Sequence, residues 1–193
     1  MSASEERLVA ATVGKVEPLN RPIVLVPYDP KWPSRYAALE RQIRDALGSH
    51  ALLTEHVGST SVAGLPAKPI IDVVLAVENS ANEDTYVPPL EHLGYVLRIR
   101  EPDWFEHRMF KSPAIEGNIH VFSRGCAEID RMLAFRDWLR TSDDDRKLYE
   151  RTKRDLAGRT WKHVQDYADA KSVVVSEILD RAFGSRRPGA TSA

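Results

Sequence analysis

The run Ile70-Ile71-Asp72-Val73-Val74-Leu75-Ala76-Val77 limits the fold more than any other part of the chain. Its aliphatic and β-branched side chains favour extended backbone. Side chains alternate along a strand, so Ile71, Val73 and Leu75 share one face while Ile70, Asp72 and Val74 share the other. Both faces are apolar except at Asp72. That pattern predicts a strand near the centre of a sheet covered on both sides. A carboxylate there is costly unless it is paired, hydrogen-bonded or bound to a metal. Asp72 is therefore either a structural acceptor of backbone hydrogen bonds or part of a site.

The segments around this strand are shorter and more varied. Residues 23–26 read as extended. Tyr28-Asp29-Pro30-Lys31-Trp32-Pro33-Ser34 is a turn that leads into a helix over 35–47, with Ser34 as N-cap and Gly48 as terminator. Tyr36, Leu39, Ile43 and Leu47 form the apolar stripe of that helix. Residues 52–57, 95–100, 106–111 and 118–122 read as further strands. A helical piece is expected over 82–93, disturbed by Pro88 and Pro89. Beyond Gly125 the periodicity becomes helical over 127–140, 143–157 and 161–183. A mixed sheet followed by a helical cluster is an α+β arrangement. Residues 1–22 read as a flexible arm, 23–183 as one domain, and 184–193 as a flexible tail.

Candidate chemistry gathers near the central strand. Gly58-Ser59-Thr60 follows the strand over 52–57 directly. Glycine allows close backbone approach to a ligand, and free N–H groups and hydroxyls at such a turn can cradle an anion. Asp72 lies 13 positions after Ser59, near the start of the next strand. Lys68, just before that strand, suits a phosphate contact as well as it suits a solvated loop. His120 points away from Ile119 and Val121, toward the side of the sheet expected to carry Asp72; a structural histidine and a ligand or base are both compatible with that placement. His56 is a weaker candidate. On the last predicted helix Val164, Ala168, Lys171, Val175, Ile178 and Ala182 share a stripe, which puts a cation on the inward face one turn after Tyr167. Lys153 repeats that spacing after Tyr149, and Arg136 sits on the preceding helix. Convergence of these cations on the sheet site is one reading; snorkelling side chains are the other.

Composition narrows the remaining classes. The 193 residues carry a net charge of −1, so no global field draws nucleic acid or an anionic membrane. A single cysteine, Cys126, excludes an intrachain disulfide and fits a reducing compartment. No stretch has the length and apolarity of a membrane span, and the N-terminal residues lack the apolar core of a signal peptide. A cytoplasmic protein is expected.

The run His56-Val57-Gly58-Ser59-Thr60-Ser61-Val62, then Gly64-Leu65 and Lys68-Pro69-Ile70-Ile71-Asp72, resembles the signature of the GrpB (UPF0157) family. Tyr28-Asp29-Pro30 with Trp32, Ile119-His120-Val121, Phe135-Arg136-Asp137-Trp138-Leu139-Arg140 and the stretch from Tyr167 to Lys171 extend the resemblance over residues 23–183. It implies a nucleotidyltransferase-like fold. In that superfamily a Gly-Ser turn holds nucleotide phosphates, and two acids on one strand plus a third on a later strand hold two divalent ions. Here Gly58, Ser59 and Asp72 match, the second acid position is Val74, and His120 or a neighbour stands at the third. The resemblance thus implies a degenerate site that binds a nucleotide or phosphorylated small molecule. Phosphate contacts are expected from Gly58, Ser59, Thr60, Lys68, Arg136, Lys153, Tyr167 and Lys171, and a metal contact from Asp72 and His120, with Mg²⁺ or Mn²⁺ as the ion. An active transfer of NMP from an NTP to a small acceptor is the alternative. The family also resembles a domain fused to some dephospho-CoA kinases, which makes such a kinase the protein partner to test. No P-loop Gly-x-x-x-x-Gly-Lys-[Ser/Thr] occurs in these residues.

Overall fold

A computed structural model describes residues 3–19, 22–112 and 117–185. The chain order is α1 (Ala3–Ala11), α2 (Trp32–Leu47), β1 (Leu53–Val57), β2 (Ile71–Val77), α3 (Val87–His92), β3 (Val96–Glu101), β4 (His107–Ser112), β5 (Gly117–Ser123), α4 (Ala127–Thr141), α5 (Asp143–Ala157), α6 (Val164–Asp169) and α7 (Ser172–Gly184). The strands form one mixed sheet in the order β1-β2-β5-β4-β3. Only the β2–β5 pair is parallel; the other three pairs are antiparallel. The apolar run thus occupies an interior strand, as its two-sided burial requires.

Each face of the sheet has its own cover. Ile71, Val73, Leu75 and Val77 pack with Ile119, Val121, Phe110 and Leu97 against Trp32, Leu39, Ile43 and Leu47 of α2 and Leu90 of α3. On the other face Val57, Val74, Ala76 and Phe122 pack against Ile129 of α4. The second helical layer continues where Leu139, Tyr149, Val174 and Ile178 join α4, α5 and α7 around Val62 and Leu65. Asp72 stands near the start of β2 on this second face.

Several local boundaries differ from the sequence pattern for physical reasons. α2 begins at Trp32, with a proline in its first turn, where a missing N–H costs nothing. Ser34 is inside it, and its hydroxyl donates to the Lys31 carbonyl instead of capping. The expected 82–93 helix is a 3₁₀ turn over Glu83–Thr85 followed by the short α3, which likewise opens on its prolines. The last predicted helix is two helices, α6 and α7, broken at Ala170-Lys171. Residues 3–19 carry α1, a bridge from Thr12 to Ile99 and a Leu19 N–H bond to the Lys162 carbonyl. No sustained periodicity over residues 1–20 announces that helix. The tail expected from Gly184 falls outside the described residues after Ser185.

Candidate functional site

The turn after β1 is held to the start of β2 by contact at Gly58. Its φ of +70° lies where L side chains are strained, and an added Cβ would stand 2.4 Å from Asp72 Oδ2. Glycine is therefore required here for two separate reasons. The residues that follow form a single 3₁₀ turn, Ser59–Ser61, rather than the start of an α-helix. Ser61 Oγ donates to the Gly58 carbonyl at 2.6 Å. From α4, Arg140 Nε and Nη2 donate to the Ser61 carbonyl at 3.1 and 2.9 Å. These bonds tie the turn to itself and to α4.

Thr60 and His56 brace this turn from the α2 side. Thr60 is 1% exposed, and its hydroxyl donates to the Ile70 carbonyl at 3.0 Å. With that proton committed, the same oxygen accepts from His56 Nε2 at 3.0 Å. The His56 ring stacks on Tyr36 at 4.8 Å. Burial pushes its imidazole down to about 4; the Asp72 charge opposes this, while Arg140 and Arg136 add to it. His56 is thus a neutral strut, and Thr60 lines the site with its hydroxyl already spent.

Asp72 faces Asn118 in register on β5, and Asn118 Nδ2 donates to Asp72 Oδ1 at 2.8 Å. His120 is two residues further along the same face, with Nε2 3.9 Å from Asp72 Oδ1. Burial alone would raise the Asp72 pKa. His120, Asn118 and the Lys68 charge outweigh it, so the carboxyl is held below its ordinary value.

Three lysines close the site opposite the sheet. Lys153 on α5 is 2% exposed and donates to Ser59 Oγ at 3.1 Å and to the Pro66 carbonyl. Burial and the nearby Lys171 ammonium push it down to about 7. Lys171 sits at the break between α6 and α7; burial lowers its pKa, and Asp72 counteracts that. The Tyr167 ring lies beneath two ammonium groups, Lys171 at 4.7 Å and Lys68 at 5.6 Å, and Tyr149 beneath Lys153 at 4.9 Å. Tyr167 in α6 and Lys171 just after it thus meet across the helix break. Ser59, Thr60, Lys68, Asp72, Asn118, Lys153, Tyr167 and Lys171 all line one cavity of about 110 Å³. It shares Lys68, Asp72, Asn118 and Lys171 with a wider cleft of about 740 Å³, which also reaches Gly58, His120 and the segment from Thr12 to Leu19.

Arg136 is the exception among the sequence candidates. Its guanidinium bonds Glu55 Oε2 at 2.7 Å, Asp137 Oδ1 at 2.8 Å and the His56 carbonyl at 3.1 Å. It lines neither cavity and instead ties α4 to β1. Asn118 is not among the sequence candidates, although the alternation that selects His120 also puts Asn118 on the same face. His107 and Glu101 were missed as well, because their relation to His120 depends on the β3–β4–β5 register.

A family model described as GrpB protein matches residues 22–181. The chain belongs to the GrpB family. A UPF0157 protein of Halalkalibacterium halodurans is 58% identical over 179 residues, covering 93% of this chain and 92% of the relative. The crystal structure of the conserved protein GrpB from Enterococcus faecalis matches with a TM-score of 0.72 and 28% identity, covering 84% of this chain and 98% of that one. Among nucleotidyltransferase-like structures, the Cid1 poly (U) polymerase with Mg 3'-dATP bound matches with a TM-score of 0.50, covering 68% of this chain and 44% of that one. At 11% identity the likeness to Cid1 is one of fold.

The paired divalent ions implied by that fold do not fit this GrpB member. Val74, on the strand position that would carry the second acid, is fully buried among Val57, Ala76, Phe122 and Ile129. Among the described residues no group of three His, Cys, Asp or Glu side chains stands close enough to hold an ion.

Proposed function

We propose that this protein binds a nucleotide or another phosphorylated small molecule in the cleft beside Asp72, without two-metal transfer chemistry. The observation that carries this reading is the convergence of Lys68, Lys153 and Lys171 with Ser59 on one small cavity that opens into the wider cleft. Two of these lysines are held in positions where burial disfavours their charge. An anion reverses that penalty, since phosphate oxygens supply the countercharge that the burial removed. The wider cleft falls within the range of about 300–1,000 Å³ usual for small-molecule sites. Its volume accommodates the organic part of such a ligand, with Lys171 and Lys68 on its phosphate side. A cation at Asp72 and His120 would neutralise phosphate charge and complete its shell with phosphate oxygens.

Calorimetric titration with the four NTPs and with inorganic tripolyphosphate, each with Mg²⁺ or Mn²⁺, tests the reading. Binding that weakens in a Lys171→Met variant is the expected result. Absence of binding by every one of these probes refutes it.

The alternative reading is an active NMP transferase. It rests on Asp72, which lines both cavities, standing 3.9 Å from His120 of the wider cleft. It predicts pyrophosphate release from an NTP in the presence of a small hydroxyl or amine acceptor. Binding without pyrophosphate release favours the degenerate site.

A further inference from the structure

Away from the lysines, the wider cleft is walled largely by aliphatic side chains. Strand register sets Ile99 of β3 and Met109 of β4 in one row with His120 of β5, on the second face of the sheet. Met132 of α4 adds a third apolar group to this floor. The N-terminal segment contributes Leu8, Val16 and Leu19 to the same space. That segment is anchored on both sides. Thr12 bridges Ile99 and the Val13 N–H bonds the Arg98 carbonyl at 2.9 Å, while the Leu19 N–H bonds the Lys162 carbonyl at 2.8 Å. We propose that the ligand is a water-soluble phosphate ester of an aliphatic alcohol, with its phosphate at Lys68 and Lys171 and its hydrocarbon chain between the Ile99–Met109–Met132 floor and the N-terminal segment. The proposal rests on the phosphate-binding reading of the lysine cavity and narrows the ligand from nucleotides to this class.

A nucleobase is held by stacking on a flat side chain and by hydrogen bonds to its edge. The cleft is poor in both. Among the described residues that line it, none is phenylalanine, tyrosine or tryptophan. The sequence outside the described residues contains none either. Tyr167, in the smaller cavity, is 1% exposed and already carries two ammonium groups on its ring. The His120 ring stacks on His107 at 5.3 Å. The Arg98 guanidinium, a flat group as well, donates to the Lys15 carbonyl at 3.1 Å and faces Glu17 at 3.9 Å. The donors that could read a base edge are spent in the same way. Asn118 Nδ2 donates to Asp72 at 2.8 Å, Gln165 Nε2 to Asp169 at 2.7 Å and Thr12 Oγ1 to the Leu8 carbonyl at 2.6 Å.

A hydrocarbon chain needs neither. It gains from apolar surface that the fold leaves uncovered, at about fourfold in affinity for each methylene fully removed from water. Leu8, Val16, Ile99 and Met109 are half-buried, and they join none of the apolar clusters of the described residues. Their remaining surface faces the cleft instead of the core. Methionine adapts to chains of different shape, and two of the three floor residues are methionines. The polar end is fixed by continuity: Lys68, Asn118 and Lys171 line both the small cavity and this cleft, so a phosphate held there starts the chain in the aliphatic part.

Calorimetric titration of the full chain with ethyl, butyl and hexyl phosphate, beside AMP and inorganic tripolyphosphate, tests the proposal. Hexyl phosphate is expected to bind about 20–200-fold more tightly than ethyl phosphate, at two- to fourfold per methylene, and more tightly than AMP. Lys171→Met should weaken hexyl phosphate and tripolyphosphate alike. Met109→Gln, which keeps length but adds an amide to the floor, should weaken hexyl phosphate by about 5–20-fold and leave tripolyphosphate unchanged; retained tripolyphosphate binding also reports that the variant is folded. Tripolyphosphate binding with no gain from ethyl to hexyl phosphate, or AMP binding more tightly than hexyl phosphate, overturns the aliphatic ligand and leaves the phosphate-site reading standing. A chain-length gain that survives Met109→Gln undiminished puts the chain elsewhere and overturns the proposal as well. Retention on phosphatidic acid vesicles without affinity for hexyl phosphate means a lipid surface in place of a soluble ester, and does the same. Failure of every one of these probes to bind overturns the phosphate-site reading itself.

Discussion

Replacing Gly58 with alanine would set a methyl carbon 2.4 Å from Asp72 Oδ2, 3.0 Å from its Cβ and 3.1 Å from its Cγ. All of these atoms belong to one short side chain that Asn118 already holds, so the clash cannot be relieved by swinging out a flexible end. Gly58 also has φ +70° and ψ −174°, a region nearly confined to glycine. Forcing alanine into it costs about 1–3 kcal/mol. Overpacking against a fixed neighbour costs a further 1–3 kcal/mol or so. Gly58→Ala is therefore expected to lose roughly 2–6 kcal/mol of stability in urea unfolding. Gly48→Ala provides the control. That glycine has φ +54° as well, but nothing lies within 4 Å of its added Cβ, so only the backbone cost applies. The carboxylate share is separable in a double-mutant cycle with Asp72→Ala, where a coupling of about 1–3 kcal/mol is expected. If Gly58→Ala costs no more than Gly48→Ala and shows no coupling to Asp72, the turn does not clamp the carboxylate.

Other substitutions probe the groups around this contact. Lys153→Met removes a buried ammonium without changing much volume, so stability should hold or rise while tripolyphosphate affinity falls by about 10–100-fold, the usual loss for a charged hydrogen bond. In wild type the unfolded chain keeps the Lys153 proton more tightly between pH 7 and 10.5, so stability contributed by this site rises with pH across that window; anion binding, which needs the ammonium, weakens across it, and both trends should vanish in Lys153→Met. His56, with a folded pKa of about 4 against an ordinary 6.5, binds its proton more weakly when folded; stability should therefore fall by about 3 kcal/mol as pH drops from 6.5 to 4, and a His56→Gln variant should show a flatter profile in that window. Glu83 pairs with both Arg100 and the buried Arg108, so Glu83→Ala should cost about 3–5 kcal/mol in thermal or urea unfolding, far more than a surface ion pair would.

Much of the site was legible because strand periodicity carries directional information. The alternation around Asp72 put it opposite Ile71 and Val73, and the same rule separated His120 from Ile119 and Val121. The inward Lys171 was visible as a cation on an apolar stripe. What the pattern did not contain was the break at Ala170-Lys171. No glycine or proline marks it, and a continuous helix satisfies the same 3.6-residue spacing. Arg136 was misassigned to the cluster for a related reason: periodicity gives the face of a helix, not which of two neighbours on that face it meets, and Glu55 on β1 lies nearer than the cleft. The partnership of His107 with His120 was invisible because it follows from strand order β5-β4-β3, which no local window encodes.

Val74 shows why this site differs from a two-ion centre by more than one side chain. A simple loss of the second acid would leave a polar gap that an acid could refill. Here α4 has closed over the position: Val74 is fully buried with Ala76, Phe122 and Ile129, while Met132 and Leu133 pack at the edge of the cluster. Its cross-strand neighbour is His120, whose Nδ1 is already engaged by His107. A Val74→Asp variant would therefore bury a carboxylate among apolar groups with no committed partner, and should lose on the order of 3–5 kcal/mol of stability. If the position were instead a vacant ligand site, the same change would tighten Mn²⁺ or Mg²⁺ binding in proportion to the added charge. Metal titration of the folded fraction, alongside urea unfolding, separates these outcomes. Tighter metal binding with little loss of stability would mean that the cover over Val74 opens readily and that the two-ion geometry is recoverable. Destabilisation without a gain in metal affinity would mean that the packing of α4 on the sheet, and not the identity of one residue, keeps a second carboxylate out of this position.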